Sequence, residues 1–174
     1  MASHNRDQNS QSRTQEDFRP KILVFSTNSI SDPGIDLAGS SHLHYPPTVV
    51  VLPIPCSSGL KPKWILYALQ KGFDGVFIAA DGTDCPYLPD CTDRTAQIAT
   101  AAQQLVEEHG FEPARVKMAA ICSVCAEPFV NHMKAFYETL QSLGPVKKES
   151  SPGETPPSSA PNSPPAKSKN NKGK

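Results

Sequence analysis

Four short runs of aliphatic and β-branched residues recur along the chain without alternating with polar ones: KILVFS at 21–26, TVVVLPIP at 48–55, GVFIAA at 75–80 and VKMAAI at 116–121. A strand with one face in water alternates apolar and polar side chains, whereas a strand covered on both faces shows no such period. Each run is closed by turn residues and followed by a helix-like segment, so the pattern predicts a parallel sheet with crossover helices on its faces. Right-handed crossovers then give a small doubly wound, flavodoxin-like α/β fold, and the commonest strand order places the second strand at an edge. Pro53 lies inside that second run, and proline is tolerated in sheets mainly at edges.

The helical segments carry readable starts and stops. LKPKWILYALQKG begins near Pro62, directs Ile65, Leu66 and Leu69 to one side and stops at Gly72. TDRTAQIATAAQQLVEEHG offers Thr92 or Asp93 as an N-cap, Ile98, Ala102, Leu105 and Val106 as a buried stripe, and Gly110 as its end. EPFVNHMKAFYETLQSLGP starts at Pro128 and turns Phe129, Met133, Phe136, Leu140 and Leu143 inward. The segment SDPGIDLAGSSH, at 31–42, has a cap and a proline at Asp32 and Pro33 but little length, so the first connection is expected to be mostly loop.

All of these elements fall within residues 20–145, which predicts one α/β domain. Residues 1–19 hold almost no apolar side chains, and residues 146–174 are built from Pro, Ser, Lys, Asn and Gly. Neither segment buries enough surface to offset the entropy of ordering, so both are expected to be disordered. The balanced net charge hides an asymmetry: residues 20–145 carry eight basic and twelve acidic residues, while the segment from Val146 has six lysines against two glutamates. A weakly acidic domain without clustered Lys and Arg is a poor partner for nucleic acid. No apolar run is long enough to span a bilayer and the polar N-terminus lacks a secretion signal, so a cytoplasmic protein is expected. Disulfides are rare there, and five cysteines in one domain point toward metal or redox chemistry.

Ligands of an open parallel sheet collect at the carboxyl ends of the strands. Cys56 directly follows the second run, Cys85 and Cys91 fall in the segment after the third, and Cys122 and Cys125 form a CxxC after the fourth. All five are thus expected at one rim as candidate metal ligands. Strands lie about 4.8 Å apart, so the loops after the second and fourth strands would be rooted roughly 14 Å from one another. Two subsets follow from that spacing: Cys85, Cys91, Cys122 and Cys125 as a four-thiolate set for zinc or an iron–sulfur cluster, or a set centred on Cys56 and Cys85. Weaker candidates are the HxH at His42 and His44, an Mg²⁺ site among Asp81, Asp84, Asp90 and Asp93 that reads more simply as solvated loop carboxylates, and a packing or partner-facing patch at Trp64 and Tyr67. No glycine-rich dinucleotide fingerprint follows the first run.

Read in order, DLAG at 36–39, YPP at 45–47, CSSG at 56–59, ALQKGFDGV at 68–76 and GTDC at 82–85 resemble the methyl-viologen-reducing hydrogenase delta subunit family, also called the hydrogenase iron–sulfur subunit. The resemblance runs from about Lys21 to Pro145. It implies an electron-transfer subunit that holds a [2Fe–2S] cluster. Such a subunit links a hydrogenase or formate dehydrogenase to a flavin-bearing, heterodisulfide-reductase-like partner. On this resemblance Cys56 and Cys85 match family cysteines. The family's CxxC after the first strand is replaced by Thr27 and Ile30, and a further family cysteine falls in the region of Ala80 and Asp81. Cys91, Cys122 and Cys125 have no counterpart in that pattern, and Cys122 with Cys125 would stand in for the absent first-strand pair in a rebuilt centre. Two alternatives stand beside this: a cluster-less docking subunit of the same kind of complex, and a dithiol oxidoreductase using Cys122 and Cys125 at a helix start.

Overall fold

The computed structural model describes residues 18–82, 85 and 87–146. Its elements alternate: β1 (Ile22–Thr27), α1 (Ser31–Ser40), β2 (Val49–Ile54), α2 (Pro62–Gln70), β3 (Gly75–Ala80), α3 (Cys91–Glu108), β4 (Val116–Ala120) and α4 (Ala126–Leu143). The four strands form one parallel sheet in the order β2-β1-β3-β4. The fold is therefore the expected α/β type, and β2, with Pro53 set opposite Ser26, is an edge strand. Most of the two segments expected to be disordered, residues 1–17 and 147–174, lies outside the described residues.

In the two central strands, β1 and β3, the unalternating runs have a direct explanation in the packing; in the edge strands the expected cover on both faces fails, with Val50 and Leu52 of β2 and Lys117 and Ala120 of β4 exposed. Along β1, Ile22 and Val24 face one side and Leu23 and Phe25 the other, and all four are buried. The first side is covered by α1 and α4, where Ile35, Ala38, Phe129, Met133, Phe136 and Leu140 close over Phe77 and Ala79 of β3. The second is covered by α2 and α3, where Ile65, Leu66, Leu69, Ala102 and Val106 close over Val76 and Ile78. A buried side chain of this kind contributes roughly 1.5–3 kcal/mol, so central strands with two covered faces hold most of the stabilising surface. Ile98 and Leu105, expected in the buried stripe of α3, are only partly buried. Thr95, Ala99 and Ala102 take the buried positions, bringing that helix close to the sheet.

The first connection differs from expectation: residues 31–40 form a ten-residue helix rather than mostly loop. With two glycines, a proline and two aspartates the segment has poor intrinsic helix propensity; tertiary contact overrides it. Ile35 and Ala38 are core residues. A Cβ at Gly34 would lie 2.4 Å from the Cys122 carbonyl oxygen, so only glycine lets α1 approach the loop after β4 this closely. The stops of α2, α3 and α4 fall where glycine was expected to end them, with Gly72, Gly110 and Gly144 all at positive φ.

Candidate functional site

The carboxyl ends of β1, β2 and β3 come together at one rim, each contributing polar side chains. At the end of β1, Thr27 donates its amide to Ser31 Oγ at 2.7 Å, and Ser31 returns its amide to Thr27 Oγ1 at 3.2 Å. This reciprocal pair satisfies backbone donors at the start of α1, where Ile30 at the cap position has no side-chain acceptor. The Ser31 hydroxyl donates onward to the Ala79 carbonyl of β3 at 2.9 Å. Ser26 donates to the Asp32 carboxylate at 2.8 Å.

Asp81, the first residue after β3, is only 4% exposed and accepts the Thr27 hydroxyl through Oδ1. The expectation of a solvated loop carboxylate is corrected here: Asp81 follows directly on a strand whose every residue is buried, so its side chain emerges inside the rim. Asp90 instead pairs with Arg94 at 2.8 Å on the outside of α3, and Asp84 lies outside the described residues.

The thiols arrive from three segments. Cys56 follows β2 and its sulfur is 3.0 Å from Ser58 Oγ. Cys85 is half-buried in the segment after β3. Cys91 is not a loop residue as its neighbours suggested; it is the first residue of α3 and is wholly buried. One ligand atom each of Asp81, Cys85 and Cys91 lies within 4.8 Å of the other two. Ser57 Oγ stands 3.7 Å from the Cys91 sulfur and 2.9 Å from Thr95 Oγ1. Thr95 gives its own hydroxyl proton to the Cys91 carbonyl at 2.8 Å, so in the contact with Ser57 its oxygen accepts. Ser57 and Thr95 were not singled out from sequence; small hydroxyl residues in a loop and a helix carry no pattern that would have marked them.

Burial pushes the Cys91 thiol above its ordinary value, the Ser57 hydroxyl pulls it back, and Cys85 and Cys56 add to the rise. Except for the Ser57 contribution, these effects penalise negative sulfur, and a cation is the group that relieves such a penalty while recruiting the thiolates as ligands. Cys56 is outside the group of three, yet its charge reaches Cys91. The rim thus brings together two sulfur donors and one oxygen donor, with Cys56 following the end of β2.

Cys122 and Cys125 are joined to each other by a disulfide at the start of α4, which leaves Cys56, Cys85 and Cys91 as the free cysteines. His42 and His44 are exposed and belong to no group with metal-binding spacing among the described residues. Trp64 and Tyr67 point away from the core of α2 and are more than half exposed. No described helix is long and apolar enough to cross a membrane.

Residues 22–144 match the sequence model of the family described as methyl-viologen-reducing hydrogenase, delta subunit. The iron-sulfur subunit of the F420-non-reducing hydrogenase of Archaeoglobus profundus is 33% identical over 135 residues, covering 77% of this chain and 98% of that protein. The vhu iron-sulfur subunit of the F420-non-reducing hydrogenase of Methanopyrus kandleri is 36% identical over 126 residues, 72% of this chain and 95% of that protein. One component of the ferredoxin:CoB-CoM heterodisulfide reductase of Methanosarcina mazei is 30% identical over 131 residues, 75% of this chain but only 16% of that much longer protein.

Proposed function

The chain belongs to the methyl-viologen-reducing hydrogenase delta subunit family, and on that premise we propose that it is an electron-transfer subunit of a cytoplasmic redox complex. Its centre is a thiolate-held iron–sulfur cluster of the [2Fe–2S] kind on Cys56, Cys85 and Cys91, with Asp81 as the fourth donor. The observation that carries this reading is the convergence of Asp81, Cys85 and Cys91 on one buried spot, with Cys56 within electrostatic reach. The residues fit the group by donor chemistry: such clusters take four protein ligands dominated by deprotonated cysteine, with replacement of a sulfur by another donor tolerated.

When bound, the cluster supplies one-electron chemistry. The chain's own residues supply the rest. Cys91, buried at the head of α3, sets the inner wall of the site, and the Ser57 hydroxyl 3.7 Å from its sulfur favours the thiolate. Thr27 fixes the Asp81 carboxylate and Ser31 ties the ends of β1 and β3 together, so the donors are held on rigid strand ends. The side chains at Thr27 and Ile30, where the resemblance implies cysteines, offer no thiolate. That substitution moves the sulfur ligands toward β2, β3 and α3.

The proposed partners are a hydrogenase or formate dehydrogenase on one side and a flavin-bearing, heterodisulfide-reductase-like protein on the other. Support comes from the relatives: the same module makes up nearly the whole of a hydrogenase iron-sulfur subunit, and it recurs as a small part of a heterodisulfide reductase chain. Visible and EPR spectra of anaerobically prepared protein, taken before and after dithionite, test the reading. A coloured oxidised form that gains a spin-half signal on reduction is expected. A colourless, EPR-silent protein after anaerobic reconstitution with iron and sulfide overturns it.

A further inference from the structure

Cys122 and Cys125 are bonded to each other while Cys56, Cys85 and Cys91 are free, and the turn around the bond has anchors besides it. The Ile121 amide donates to the Ala80 carbonyl at 2.8 Å and its side chain is wholly buried. The Cys125 amide donates to the Cys122 carbonyl at 3.0 Å, and the Phe129 amide to the Cys125 carbonyl at 3.1 Å. From the other side α1 presses on the same turn at Gly34, next to the Cys122 carbonyl. The stabilisation from a disulfide grows with the loop it closes, and this one joins residues only three apart. Between the two sulfurs, Ser123 and Val124 face solvent, Val124 at 76% exposure. A bond that closes a small, independently anchored and solvent-facing turn opens without asking the fold to move.

We infer that Cys122–Cys125 is a redox-active dithiol–disulfide pair, a two-electron site separate from the free-thiol cluster, that exchanges with soluble dithiols. In the forward step one thiolate of an incoming dithiol attacks Cys122 Sγ, the Cys122–Cys125 bond breaks and a mixed disulfide forms on Cys122. The second thiol of the reductant then displaces Cys122. The reductant leaves as its own disulfide, and its two electrons and two protons end on Cys122 and Cys125. Cys125 is the leaving sulfur because it caps the 18-residue α4, and the partial positive charge of a helix start favours a departing thiolate. Pro128 and Glu127 in the first turn temper that effect, one by removing a backbone donor and the other by its charge.

The test uses the full chain equilibrated in buffers of varied reduced-to-oxidised dithiothreitol ratio. Free thiols are trapped by alkylation and mapped by mass spectrometry, and metal is measured on the same samples so that this inference and the cluster reading fail separately. The expected result is that residues 122 and 125 pass together from bonded to doubly alkylated over about a hundredfold change in ratio, as a two-electron couple requires. Circular dichroism should remain unchanged throughout. Cys125→Ser should accept one glutathione on Cys122 from oxidised glutathione. If the pair resists excess reduced dithiothreitol until denaturant is added, it is a structural cross-link and the inference is wrong. The inference is equally wrong if both residues alkylate as free thiols under excess oxidised glutathione.

Discussion

Two sulfur sites share one rim of this sheet, and they are built in opposite ways. The free-thiol site draws Cys85 and Cys91 from the segment after β3 and the head of α3, with Cys56 following the end of β2, and sets hydroxyls and one buried carboxylate beside them. The disulfide site draws both sulfurs from a single four-residue turn pinned by its own backbone and by α1. A site assembled from distant segments can place charge in a buried spot, as a metal centre requires. A site made within one turn can open and close its own bond with little effect elsewhere.

The largest expected difference is in metal uptake. Replacing Cys85 and Cys91 by serine should lower iron bound after anaerobic reconstitution by more than about tenfold, since thiolates are the preferred ligands of such centres. The paired change Cys122→Ser with Cys125→Ser should leave iron content unchanged. Colorimetric iron and sulfide analysis reads both, and equal loss in the two variants would erase the distinction between the sites.

The next effect concerns the pinned turn. Gly34→Ala forces a methyl group into the Cys122 carbonyl and should destabilise the domain by about 2 kcal/mol, the usual scale of overpacking. It should also quicken reduction of the disulfide by loosening the turn. Gly39→Ala in the same helix meets nothing within 4 Å and should stabilise by roughly 0.5–1 kcal/mol. Urea midpoints of the two variants compare them directly.

At the thiol site, Thr27→Val removes the hydroxyl that Asp81 accepts. A loss of about 1–2 kcal/mol is expected from leaving a buried carboxylate short of a partner, together with weaker iron retention but an unaltered disulfide titration.

The smallest effect separates sulfur from imidazole in the region of α4. Burial, and then the charge of Lys117, hold His132 below its ordinary value. The unfolded chain therefore binds more protons than the folded one once the pH falls past about 6.5. This contribution is intact above that pH and is lost as the pH drops through the depressed folded value. Denaturant midpoints measured against pH should fall less steeply on the acid side in His132→Gln than in the parent chain.

Much of the fold was legible because its signals are local. Lack of alternation marks the strands and holds as a sign of double cover for β1 and β3 but not for β2, whose Val50 and Leu52 are exposed; Pro53 marks the edge, and the glycines after α2, α3 and α4 mark the stops. The helix at 31–40 was not, because it is held by tertiary packing, Ile35 and Ala38 in the core and Gly34 close against the turn at Cys122, rather than by its own composition. The site was legible in part. That the cysteines follow strand ends could be read from their positions, but which of them meet could not, since loop paths decide it. Asp81 was the clearest miss. Its sequence surroundings are those of a loop aspartate, and only the pairing of β1 beside β3 puts Thr27 over it and encloses it.

The measurement that bears most directly on the central claim is the iron and acid-labile sulfide content of the full chain purified without oxygen. About two irons and two sulfides per chain, retained when Cys122 and Cys125 are both serine, is the result this account predicts. Protein that holds neither element after reconstitution, with Cys56, Cys85 and Cys91 all reactive toward alkylating reagents, would contradict it.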